Sequence, residues 1–475
     1  MQTSQNLPSL GDTERQNLSP LMERKLGEEV MVGLRHDRDY LDDAPLAEYL
    51  NNFGNSLVAA SPEARGEASF NYYFFAVRDP MLNAFALPGG FIGVHSGLVL
   101  AAQTEAELAA VLSHEIGHVG QRHIARMMGQ QRQDAFLPLA GILLAILASR
   151  SSTNASMGVL MGSQSMALQR QLQFSRDAER EADRIGFQIL GAAGFDTSGM
   201  VAFFGRLETA TRSYTDATPS YLRSHPLTTE RIADIQARIR EQPYHQRADS
   251  LDFYLMRARA RVLQDESAKG LHQATAAFTA QLQQKGRGQT AGAHYGLAFI
   301  AMKQGASAKA TSLLAEARKA AGLQANSADA AFAYLSNEIL LSSKQSAEAV
   351  KQANLAHAQF PHSRGLAWQL ADALIAQGQT EEAATYLRDQ IQLYRGEAQL
   401  QERLAAVYST QNKQALQHMA LAESYALGGN YAAALQQLAI ARRAPDASFY
   451  DHSTIDSRER DLRARRLDEM QETRK

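Results

Sequence analysis

The sequence predicts an α+β fold in two parts: a mainly helical N-terminal domain with a small β-sheet, then an all-α solenoid of stacked helix pairs. Three observations predict it. Between Ala68 and Leu100 aromatic and β-branched residues form strand-like runs inside an otherwise helical chain. The second half is rich in Ala, Leu and Gln and repeats a helix–turn–helix plan. At 475 residues the chain also exceeds what one hydrophobic core usually serves.

Residues 1 to about 65 are polar and partly helical, with an expected flexible segment over 1–20. Leu46, Tyr49, Leu50 and Phe53 follow the i, i+3, i+4, i+7 rule, and Gly54-Asn55 is expected to end that helix. Strands follow in FNYYFFAV, NAFALPGG and FIGVHSGLVL, with Pro-Gly-Gly as a turn. From Gln103 to about Arg240 the pattern is helical. Beyond Asp249 three segments, at 293–317, 367–389 and 419–441, each read as two helices joined by a Gly-containing turn. Gly305 and Gly378 are 73 residues apart, close to twice the 34-residue tetratricopeptide period. The unit between them closes on Phe360-Pro361, while Gly428 falls out of phase. Stacked tetratricopeptide-type pairs with a concave binding face fit this better than a generic Ala-rich bundle.

Composition excludes several chemistries. With 45% hydrophobic and 21% charged residues this is ordinary globular material, and a formal net charge of −2 creates no global attraction to nucleic acid. There is no cysteine, so a bound metal must use His and carboxylate ligands. The N-terminus, MQTSQNLPSLGDTERQNLSP, lacks a basic-then-apolar signal layout; it suits a cytoplasmic start or a mature exported chain. The apolar run Ala135–Ala148 is 14 residues long and contains Pro138 and Gly141, whereas a span needs roughly 17 to 25 apolar residues. A buried helix or hairpin is expected there, with peripheral membrane contact or cover for a cleft as the alternative. The polar SRSSTNASMG after it reads as a mobile loop.

Thr104-Glu105-Ala106-Glu107 is a capping box, which starts a helix near Thr104. Leu108, Val111, Leu112 and Val119 supply its buried stripe. On that helix lies His114-Glu115-Ile116-Gly117-His118. His114 and His118 are one turn apart on the same face and can reach one ion. Glu115 lies about 100° round from His114 and can take a proton from the attacking water, then pass it to a leaving amine. Such a motif arises by chance in about one sequence in fifty of this composition, so its neighbours decide. A catalytic zinc needs three protein ligands and an open position. Glu179, Ala182, Asp183, Gly186 and Leu190 form one stripe of a second helix, from Ser175 to Leu190. Glu179 would ligate, and Asp183 would accept the second N–H of a ligating histidine. Glu181, Arg180 and Arg184 are expected to be solvated, as is His123, about 140° round from His118. His95 is read the same way unless it faces the cleft.

His-Glu-x-x-His followed some 60 residues later by Glu-x-x-Ala-Asp resembles the M48 metallopeptidases, a branch of the gluzincins. NAFALPGGFIGVHSGLVL and Ser224-His225-Pro226 with Arg231 extend the likeness. The resemblance implies a gluzincin protease domain over 21–245, one zinc ion, Glu179 as third ligand and Asp183 behind the ligands. It implies that His225, otherwise a loop residue, is a fourth ligand that latches the site shut. A domain of this kind before a repeat domain over 250–465 is similar to the periplasmic, repeat-bearing branch of the family. That branch implies periplasmic location, misfolded or stalled outer-membrane protein clients and the β-barrel assembly machinery as partners. A peptide substrate would pair with the sheet edge, on the Phe91–Val99 strand. Two other readings remain: a chaperone or scaffold whose proteolysis is secondary, and an integral membrane protease, which needs several spans that the chain lacks.

Overall fold

The computed structural model describes residues 18–66, 68–129, 175–213, 221–222, 225–241, 247–284, 286–323 and 329–472. The expected flexible N-terminus, up to residue 17, and the apolar 135–148 segment with its polar sequel lie outside the described residues. No helix among the described residues is long and apolar enough to cross a membrane. The chain divides into two compact units, Met1–Leu297 and Ala298–Lys475.

In the first unit, α1 (Pro20–Arg35) starts where the Ser19 hydroxyl accepts the Met22 N–H, with Pro20 at the first helical position. β1 (Tyr40–Leu41) precedes α2 (Ala44–Ala60), which buries Leu46, Tyr49, Leu50 and Phe53 as the periodicity requires. Gly54 does not end this helix. It lies against the Phe74 ring, where a Cβ would come within 2.4 Å, so this glycine permits helix–sheet contact instead of a stop.

After α3 (Pro62–Arg65) come β2 (Tyr73–Val77), β3 (Ala84–Leu87) and β4 (Phe91–His95). The sheet order is β1-β2-β4-β3, with β2 and β4 parallel and both outer pairs antiparallel. The last strand stops at His95, not Leu100. The Ser96 hydroxyl bonds to the Asp79 carbonyl and Gly97 N–H donates to it at 2.8 Å, which turns the chain into α4 (Ser96–Ala101). β4 is therefore an inner strand, paired on both sides, and cannot take a further strand; β1 and β3 are the edges.

α5 (Glu105–Gly120) begins at Thr104, whose hydroxyl accepts the Glu107 N–H. The expected box is opened by one residue: Glu107 takes the Gln103 N–H and the Arg206 guanidinium instead of the Thr104 N–H. Then follow α6 (His123–Gly129), α7 (Arg176–Ala192), α8 (Ser198–Ser213) and α9 (Thr229–Arg240). α10 (Leu251–Gln264) is fastened to the same unit. Buried Glu105 accepts the Ser250 N–H and hydroxyl at 3.0 and 2.6 Å, Arg257 donates to the Leu100 carbonyl, and Arg259 pairs with Asp43 at 2.7 Å. α11 (Ala268–Gln281) and α12 (Arg287–Lys303) follow.

Among its described residues the second unit has only helices: α13 (Ser307–Ala320), α14 (Ala330–Ser342), α15 (Ser346–Gln359), α16 (Arg364–Gln377), α17 (Thr380–Leu393), α18 (Ala398–Thr410), α19 (Gln414–Leu427), α20 (Tyr431–Arg443) and α21 (Phe449–Glu472). Left-handed residues Lys344, Gly378 and Asn412 turn successive helix pairs, each one 34-residue period after the last. Gly429 turns the chain between α19 and α20, half a period later, which is why Gly428 looked out of phase. Small side chains make the close helix contacts: Ala349, Ala353, Ala371, Ala383 and Ala384 lie in one core with Leu370, Leu374 and Leu387.

Candidate metal centre

Two helices build the centre. α5 and α7 cross where each presents a glycine to the other's backbone. A Cβ on Gly186 would sit 2.9 Å from the His114 backbone nitrogen, and one on Gly117 would sit 3.0 Å from the Ala182 carbonyl oxygen. This close approach brings Glu179 and Asp183, buried on the inner face of α7, to the histidines of α5. Gly186→Val is expected to force the helices apart and leave purified protein with a fraction of its wild-type zinc, read by metal analysis.

His114, His118, Glu179 and His225 converge, with one ligand atom from each lying within 4.8 Å of all the others. His114 Nε2 is 3.0 Å from His118 Nε2 and 3.4 Å from His225 Nδ1. Glu179 Oε1 is 2.9 Å from His225 Nδ1 and 3.4 Å from His118 Nε2. A tetrahedral zinc with bonds of about 2.0–2.1 Å separates its ligand atoms by about 3.3 Å, so the set fits. The proton positions fit as well. His114 Nδ1 faces Asp183 Oδ1 at 2.9 Å, so its proton belongs on Nδ1 and its Nε2 lone pair faces the cluster.

Charge in this buried space is closely balanced. Arg231, from α9, holds Asp183 with two N–H bonds of 2.6 and 2.8 Å, lies 2.8 Å from Glu179 Oε2, and donates to the Pro226 carbonyl. It thus ties both carboxylates to the loop that carries His225. Burial alone would raise Glu179, but His225, His114 and His118 hold it well below the usual carboxylate range. Burial opposes charge on His114, yet Asp183 and Glu179 outweigh it and raise its pKa; at His118 burial prevails and lowers it. Glu115 is fully buried and burial raises its pKa, although His225 and the Ala86 backbone of β3 favour its ionised form.

His225 faces two ways. Its Nδ1 joins the cluster while its Nε2 lies 3.5 Å from Glu115 Oε1. Tyr221 stacks on the ring with centroids 4.6 Å apart, and its carbonyl accepts the His225 N–H. Among the described residues this is the one cluster of three or more His, Asp or Glu that could hold a metal.

Three expectations are corrected. His123 is not solvated: only 2% of it is exposed, and its Nδ1 lies 2.8 Å from His118 Nδ1. Regular helix geometry put it on another face, but the chain breaks at Arg122, a left-handed residue with φ 52°. Glu181 is partly covered and paired with His123 and Arg126. His95 is wholly buried, edge-on to Phe85 and 3.4 Å from Asp79 Oδ2. Arg180 is half-exposed as expected. A run of helical residues carries no signal for a left-handed break at an arginine, so His123 could not be found by periodicity.

Known proteins bear on this geometry. The model of peptidase family M48 matches residues 47–239. The putative beta-barrel assembly-enhancing protease of Vibrio cholerae is 37% identical over 253 residues, a match that covers 53% of this chain and 51% of that protein. The beta-barrel assembly-enhancing protease of Escherichia coli K12 is 30% identical over 463 residues, 97% of this chain and 92% of its own. The mitochondrial metalloendopeptidase OMA1 of Schizosaccharomyces pombe is 30% identical over 193 residues, 40% of this chain and 52% of its own. With a buried His/Glu set that fits zinc inside the matched region, and a relative alike over nearly the whole chain, the protein belongs to peptidase family M48 and is a zinc metallopeptidase.

Proposed function

We propose that His114, His118 and Glu179 hold the zinc, Glu115 is general base and then general acid, Asp183 orients His114, and His225 is a latching fourth ligand. The observation that carries this reading is the convergence of four donor atoms beside the buried Glu115 carboxylate. When bound, zinc supplies a Lewis acid that polarises the scissile carbonyl and makes nearby water acidic. Glu115 accepts the proton of the attacking water and returns it to the leaving amine, and burial raises its basicity for the first task. Asp183 holds the His114 proton on Nδ1, and Arg231 holds Asp183. β3 would support the substrate: of the two edge strands, β1 and β3, it is the one that runs close to Glu115, so an extended peptide could add to it.

His225 supports latency because it fills the fourth donor position with Nδ1 and engages the general base with Nε2. His225→Ala should therefore raise peptidase activity on an unfolded protein substrate by about tenfold, a change of 1.4 kcal/mol. Unchanged or lower activity would argue for an inert or catalytic role.

The substrate assignment rests on the relatives' names. The chain acts in the periplasm on misfolded or stalled outer-membrane proteins, alongside the β-barrel assembly machinery. The protease domain is assigned to 21–245 and the repeats to 250–465, which would raise the local concentration of clients. The extent of the helical repeats favours a second reading in which binding is a separate activity, that of a chaperone or scaffold. Barrel assembly measured with a proteolytically dead variant separates the two.

A further inference from the structure

We propose that His123, backed by Glu181 and Arg126, is the positioning residue for His118, as Asp183 backed by Arg231 is for His114. The proposal rests on the reading of His114, His118 and Glu179 as zinc ligands and extends it to residues beyond them. It follows from proton bookkeeping in a buried chain of hydrogen bonds.

His118 Nε2 is the nitrogen that faces the donor cluster, 3.0 Å from His114 Nε2 and 3.4 Å from Glu179 Oε1. To ligate, it must present a lone pair, so the His118 proton belongs on Nδ1. That Nδ1 lies 2.8 Å from His123 Nδ1. Two nitrogens this close share one proton, so His123 Nδ1 is the acceptor and its own proton belongs on Nε2. His123 Nε2 in turn lies 3.1 Å from Glu181 Oε2, and Arg126 Nη2 donates to the same oxygen at 2.6 Å. Each link has one polarity: Arg126 to Glu181, His123 to Glu181, His118 to His123. The chain thereby selects the His118 tautomer that points a lone pair at the metal, and it sets the plane of the ring. The two imidazoles are close and inclined, with centroids 4.8 Å apart at 74°.

The backbone is shaped to make this contact. α5 ends at Gly120, and α6 starts only three residues later, at His123. Between them Arg122 takes a left-handed conformation, which costs a non-glycine residue free energy. Buried Glu23 accepts its Nε–H at 2.6 Å and the Leu18 carbonyl accepts from its Nη2, which hold the turn in place. The result is that a residue five positions after His118 folds back under it.

The test is zinc affinity, measured by competition with a chromophoric chelator on the full-length protein, alongside peptidase activity and the thermal midpoint of the zinc-free form. His123→Phe fills the space but accepts no proton, and should weaken zinc binding about 10- to 100-fold. His123→Asn can place its carbonyl oxygen near the position of Nδ1, and should recover affinity to within about threefold of wild type. The zinc-free midpoints of the two variants should be alike. Should His123→Phe fail to fold, Glu181→Leu, at a partly exposed site, should still weaken zinc several-fold by leaving the His123 Nε2 proton without that carboxylate. Wild-type affinity in folded His123→Phe or Glu181→Leu overturns the proposal. So does His123→Asn as weak as His123→Phe, which would make His123 a packing residue. A wild-type chain that takes up no zinc would instead overturn the reading of the centre itself, and this inference with it.

Discussion

Glu115→Gln is expected to leave zinc content and thermal stability close to wild type and to lower proteolysis by about 10²- to 10⁴-fold, the usual size of a general-base contribution. The substitution is nearly isosteric. It also removes a buried carboxylate whose ionised form burial opposes, so the folded state has little reason to weaken. The amide cannot accept the proton of the attacking water. The measurement is cleavage of an unfolded protein substrate beside metal analysis of the same preparation. Normal cleavage by a zinc-loaded variant would sink the assigned mechanism. The same variant carries the second reading: if it still promotes barrel assembly, binding by the helical repeats is an activity in its own right.

Arg231→Met should have the largest effect on the fold of the centre. Arg231 is 4% exposed and is the cation shared by Asp183, Glu179 and the Pro226 carbonyl. Methionine fills much of its volume but leaves two buried carboxylates without that partner. Breaking a buried ion pair from one side costs about 3–5 kcal/mol. Denaturant unfolding of the zinc-free protein should show that loss. Part of it should be recovered on adding zinc, because the metal restores positive charge beside Glu179. If Arg231→Met unfolds at wild-type denaturant concentrations, the guanidinium is not what balances this space. The substitution should also loosen the His225 loop, so the surviving folded fraction should show less latency per bound zinc.

The residues proposed for the site were legible as candidates because their spacing obeys helix geometry. His114 and His118 at i and i+4, and Glu179 and Asp183 at the same interval, each occupy one face of a helix whatever the rest of the chain does. That the two faces meet was anticipated from Ala182 and Gly186, small residues beside the carboxylates, and the crossing does place Gly186 on the His114 backbone. The turns of the repeats were half legible. Gly378 announced itself, but Lys344 and Asn412 take the same left-handed conformation without the residue type that signals it.

Errors arose where a local pattern met a distant partner. Gly54 reads as a stop, yet Phe74 from the sheet gives it a packing role. The FIGVHSGLVL run reads as one strand, yet Asp79 captures Ser96 and Gly97 and bends it into a helix. His123 reads as solvent-facing under a regular 3.6-residue helix, yet Arg122, held by Glu23 and the Leu18 carbonyl, swings it under His118.

By itself, then, the sequence determined that a bound metal must use His and carboxylate, and which helices carry the proposed ligands and the proposed general base, because intervals along a helix are local properties. Only the tertiary structure decided which nitrogen of His225 enters the cluster, that Arg231 unites both carboxylates with the His225 loop, and that His123 stands behind His118. Those contacts join residues 5 to 111 positions apart through turns whose direction depends on distant partners, and no local periodicity encodes such a direction.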